Sequence, residues 1–191
     1  MVLVHCPDFS APPTTRLGHR ESYQNTIDMA ESVRKEVGLG VRVVLGPHPA
    51  AFAHQFIKWV DEDGDFGREK AMQNYRDSID EAVAFYHEGK AHAIGEVGRP
   101  HWEVSDEIWN LSNKLLLETM KMASSDGFAL QLHVEGELES TYLDMATMAS
   151  KAGLAKDRLV RHYSPPNVSS NITQGLTPSA VSYTHLTLPT M

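Results

Sequence analysis

With 191 residues, 41% of them hydrophobic and 22% charged, the chain has the make-up of one globular domain, or most of one if the fold is a barrel. A formal net charge of −8 argues against a partner held mainly by phosphate neutralisation, which needs a basic face; a phosphate-bearing substrate stays open, because a bound metal inverts the local field. The single cysteine, Cys6, excludes an internal disulfide, and no apolar run approaches the roughly 20 residues that span a bilayer, so a cytoplasmic protein without membrane contact is expected.

Short apolar runs alternate with longer amphipathic stretches. The runs 1–6 (MVLVHC), 41–45 (VRVVL), 91–97 (AHAIGEV), 128–134 (FALQLHV) and 159–163 (LVRHY) each have strand length and end in turn-forming residues. Between the first two, Ile27, Ala30, Val33 and Val37 form one stripe of a helix from about Glu21 to Gly38. Ala71, Tyr75, Ile79, Ala82 and Tyr86 form a second stripe. Ser105 is placed as an N-cap with Asp106 and Glu107 behind it, opening a helix that ends near Asp126-Gly127. Leu138, Tyr142, Met145, Ala149 and Ala152 give the next stripe, closed by Gly153. Strict strand–helix alternation predicts an α/β fold with a parallel sheet, either doubly wound or a (β/α) barrel. The first run lacks a Gly-rich phosphate loop, which weakens the dinucleotide-binding version.

Three ionisable residues end consecutive strand runs: Glu96 the third, His133 the fourth, His162 the fifth. Burying such groups unpaired is costly, and active sites of parallel α/β folds lie at the carboxyl ends of the strands. One carboxylate and two imidazoles arriving there together have the composition of a zinc-like or dinuclear metal site. His48, in Gly-Pro-His-Pro after the second run, and Arg99 and His101, directly after Glu96, sit at the same rim and are candidate substrate contacts. An arginine there can clamp an anionic group or form a structural ion pair. Glu135 supports a ligand or faces solvent. His5, His19, His54, His87 and His92 read as surface or packing residues, and nothing beside Cys6 activates its thiol.

At Ala93-Ile94-Gly95-Glu96-Val97-Gly98, Gln131-Leu132-His133 and Val160-Arg161-His162 the chain resembles the TatD-related metal-dependent hydrolases, a family of amidohydrolase-like barrels. Gly-Pro-His-Pro looks like that family's Gly-x-His-Pro. The Gly-Arg-Pro-His after the glutamate, and the Tyr-x-Pro-Pro after the last histidine, are similar to archaeal-type members. The resemblance runs to about Ser179 and implies a (β/α)8 TIM-type barrel holding two divalent ions, with zinc, magnesium and manganese not distinguished. It implies that Glu96 bridges the two ions, a catalytic position, and that His133 and His162 ligate one of them. The family's first-strand His-x-His and eighth-strand Asp have no counterpart in this sequence.

The first run resembles the family's second strand, so the expected fold is an incomplete barrel: strands two to six, and a stub of the seventh at 175–179. Residues 180–191, with VSYTHLTLPT at 181–190, lack charge and βα pattern and look like translated sequencing adapter. The expected division is thus a partial barrel, 1–179, and a tail foreign to it. The expected reaction is hydrolysis by metal-activated water of a phosphodiester, deoxyribonuclease-like, or of an amide or ester. The substrate is then a small molecule or derived from nucleic acid, and the truncated chain itself is expected to be inactive. A phosphotriesterase-like barrel would bridge its metals with a carboxylated lysine, and no lysine ends the third run. The remaining alternative is a non-catalytic relative, at most a binding module.

Overall fold

The computed structural model describes residues 1–136, 139–165 and 168–180. Leu138 of the last stripe, Pro166, Asn167 and the adapter-like tail beyond Ala180, including His185, lie outside these residues.

Six strands, β1 (Val2–Val4), β2 (Arg42–Leu45), β3 (Ala93–Gly98), β4 (Leu130–His133), β5 (Leu159–Ser164) and β6 (Thr177–Ala180), pair in parallel in sequence order. They curl into a half-barrel with helices between them, the architecture of an incomplete TIM-type barrel. The helices are α1 (Arg16–Val37), α2 (Pro49–Asp63), α3 (Asp65–His87), α4 (Asp106–Asp126), α5 (Glu139–Ala152) and the single turn α6 (Ser170–Thr173). Among the described residues no helix is long and apolar enough to cross a membrane.

The pleat separates two environments. Val43, Leu45, Ile94, Val97, Leu130, Leu132 and Leu159 are buried, and they belong to the core shared with Ile27, Phe52, Ile79, Leu116 and Met145 of the helices. Their alternates Val2, Val4, Arg42, Val44, Ala93, Gln131, Val160 and His162 line the concave face. Residues of this second set therefore project toward the barrel axis, where a ligand can reach them.

Two helix starts differ from the sequence expectation. α1 begins at Arg16, because the Thr15 hydroxyl accepts the Gly18 N–H at 3.1 Å. α2 was not expected: Gly-Pro-His-Pro is the start of a helix rather than a plain turn, with Pro49 in the first helical turn and His48 as its N-cap. Gly67 lets α3 cross α2 closely, since a β-carbon there would stand 1.8 Å from the Trp59 carbonyl oxygen. Ser105 does cap α4, accepting the Ile108 N–H at 3.3 Å.

Candidate metal centre

The site is built at the carboxyl ends of β2 to β5. Between β3 and β4 the register shifts: Gly95 pairs with Gln131 and Val97 with Leu132, leaving Glu96 as the extra residue. Such a bulge re-aims the side chain it carries. Gly98 follows with φ +153°, and a β-carbon there would lie 2.0 Å from the His133 carbonyl oxygen, so only glycine lets β3 and β4 run together at this level.

The Glu96 carboxylate is where the strands meet. Its Oε2 lies 3.0 Å from His133 Nδ1 and 3.2 Å from His48 Nε2, and its Oε1 lies 3.3 Å from His162 Nε2. His101 extends the cluster, its Nδ1 standing 2.8 Å from His133 Nε2. The structure thus brings together five of the six residues singled out in the sequence: Glu96, His133, His162, His48 and His101. Arg99 goes elsewhere. Its guanidinium is buried, with Nε 2.7 Å from Glu135 Oε2 and Nη1 2.9 Å from Asn113 Oδ1 and 2.5 Å from Asp144 Oδ2. Nη2 donates to Glu135 Oε1, and the plane lies 4.4 Å over the Trp109 ring. Arg99 therefore has its donors engaged on α4, α5 and the segment after β4, and it is Glu135, not a substrate anion, that takes the fork.

Burial opposes the ionisation of Glu96, but hydrogen bonds from His133 and His48 and the fields of His133 and His162 outweigh it and bring its pKa from 4.5 down to about 2. Burial lowers the pKa of His162 against the pull of Glu96, with His133 and His48 adding to the effect. Burial likewise lowers His101, helped by His133 and His48. Ionised, Glu96 is in the form that ligates a metal, and the lowered pKa of His162 favours the neutral imidazole that ligates.

Donor atoms of His48, Glu96 and His133 lie within 4.8 Å of one another, close enough to share a metal ion. Proximity and donor chemistry differ at His48, however. Its Nδ1 accepts the Ala50 N–H at 3.1 Å, so the ring proton of the neutral imidazole sits on Nε2, the atom facing Glu96. Held by its capping role in that tautomer, His48 is a hydrogen-bond donor into the site. His133 and His162 carry no such backbone constraint on the nitrogens that face Glu96.

Sequence reasoning missed two features. Gln131, with its Nε2 3.3 Å from His162 Nδ1, lies inside an apolar run and carries no signal of its own. The aromatic surround is the other: Phe9 meets the His48 ring edge-on at 5.1 Å, Tyr163 meets His162 at 4.2 Å, and Trp102 stacks on His54 at 5.8 Å while touching His101 at 5.2 Å.

The family profile described as TatD related DNase matches residues 10–184. An uncharacterized protein of Methanocaldococcus jannaschii is 29% identical over 152 residues, which cover 80% of this chain and 52% of that protein. The chain thus spans about half the length of the curated relative it matches. No solved structure matches it.

Proposed function

The chain belongs to the TatD related DNase family, and on that premise we propose that it carries the strand ends of a metal-dependent hydrolase that hold a divalent ion through Glu96, His133 and His162. The observation behind this is the convergence of two strand-end imidazoles on the two oxygens of one carboxylate, at 3.0 and 3.3 Å. A donor set of one carboxylate and two imidazoles suits zinc and manganese alike.

When bound, such an ion lowers the pKa of water and stabilises charge developing on the scissile carbonyl or phosphoryl oxygen. The chain's own residues do the rest. Glu96 holds its negative charge for the ion, its pKa near 2 keeping it ionised at neutral pH. His48 points its Nε2–H into the site, where it supports Glu96 and can hydrogen-bond a substrate oxygen. His101 holds His133 from the rim, and Trp102 offers a partly exposed ring beside them.

The substrate we propose is a phosphodiester derived from nucleic acid. The net charge of −8 leaves phosphate neutralisation to the ion instead of a basic surface, with the His48 Nε2–H as a hydrogen-bond donor beside it. Whole-protein activity is tested on protein extended to the length of the relative it matches. Hydrolysis of bis(4-nitrophenyl) phosphate that needs Mn2+ and stops with EDTA is the expected result. Cleavage of 4-nitrophenyl acetate alone would move the reading to esters, and no metal-dependent hydrolysis of either would end it.

A further inference from the structure

Gln131 is a buried amide on the concave face of β4, two residues before His133. As placed, its Nε2 donates to His162 Nδ1 at 3.3 Å, while its Oε1 is buried without a hydrogen-bond partner. An imidazole accepting at Nδ1 carries its proton on Nε2, the atom 3.3 Å from Glu96 Oε1. The resulting chain, Gln131 to His162 to Glu96, is complete without metal, and it blocks His162 Nε2 as a ligand.

Turning the amide by half a rotation about its terminal bond exchanges the two atoms and needs no backbone movement. Oε1 then faces His162 Nδ1 and can accept a proton there, which frees the lone pair of Nε2 toward Glu96. A ligating histidine commonly donates its other ring N–H to an outer acceptor that fixes the ring. We propose that Gln131 is a positioning residue whose amide selects the His162 tautomer, donating to Nδ1 in the metal-free protein and accepting from it when a divalent ion is held. His162 keeps one ring proton throughout: the proton leaves Nε2 to solvent and another is taken up at Nδ1.

The inference rests on the metal-site reading above and extends it. It is tested with Zn2+ alone as the probe. Long-range 1H–15N spectra of the wild-type chain should show the His162 proton on Nε2 without metal and on Nδ1 with Zn2+. In titration calorimetry Gln131→Met should weaken Zn2+ binding roughly 10- to 100-fold, and Gln131→Glu, which keeps an acceptor, should stay within about threefold of wild type. Thermal unfolding of the metal-free variants separates a damaged fold from a lost acceptor. If Gln131→Met does not fold, the wild-type tautomers still decide. The same tautomer in both states, or wild-type Zn2+ affinity in Gln131→Met, overturns the role of Gln131 while leaving the metal site standing. No Zn2+ binding by the wild type would sink both.

Discussion

His48 Nε2 and Glu96 Oε2 stand 3.2 Å apart, and the Ala50 N–H on His48 Nδ1 makes that contact a donated hydrogen bond. One side chain thus caps α2 and reaches into the site, so the helix start and the carboxylate are held in one geometry.

This double role separates into two variants. His48→Asn keeps a capping oxygen, so unfolding stability stays close to wild type. His48→Ala loses the cap and about 1 kcal/mol in urea unfolding. Because His48 donates and does not ligate, Zn2+ affinity of His48→Asn should fall less than about tenfold, the low end of losses seen for outer partners. A loss as deep as that of His133→Asn in the same calorimetry would make His48 a ligand.

Arg99 ties the segment after β3 to Glu135, Asn113 and Asp144. Arg99 is buried while Glu135 and Asp144 keep part of their solvent contact, so Arg99→Leu should cost roughly 2 kcal/mol in urea unfolding through its lost charge-assisted hydrogen bonds. Adding Glu135→Gln to Arg99→Leu should recover part of that loss. An Arg99→Leu chain as stable as wild type would return Arg99 to the rim as a free substrate clamp.

His5 should make stability depend on pH. Its burial, outweighing a hydrogen bond to the Gly46 carbonyl, and the nearby His19 and His48 bring its pKa from 6.5 down to about 4. Between those values the unfolded chain binds the proton that the folded chain refuses. The contribution is therefore complete above pH 6.5 and is lost as pH falls through about 4, roughly 3 kcal/mol in all. Urea unfolding of wild type and His5→Gln at pH 7.5 and 5.0 should show a steeper loss in wild type. Equal slopes would place the acid sensitivity elsewhere.

Much of the site was legible because position along a strand is legible. Glu96, His133 and His162 end apolar runs, and parallel topology delivers run ends to one rim. What could not be read was the direction of side chains whose partners are far apart in sequence. Arg99 chooses between rim and helix layer according to Asn113, Glu135 and Asp144, which lie 14, 36 and 45 residues away. The helix after His48 was hidden for another reason. Phe52, Phe56 and Trp59 carry the helical spacing, but histidine is outside the usual set of N-cap residues, and Gly-Pro-His-Pro reads as a turn. Gln131 was hidden because a single amide within a strand run says nothing about which neighbour it meets.

The most direct test is calorimetric titration of Zn2+ into the metal-free chain and into Glu96→Gln. Glu96→Gln keeps the shape of the side chain and removes the charge on which His133 and His162 converge. Wild type should bind Zn2+, and Glu96→Gln should bind it at least about 100-fold more weakly, as expected when an anionic ligand is lost. Equal affinity in the two proteins, or no binding by wild type, would contradict a metal site built on Glu96.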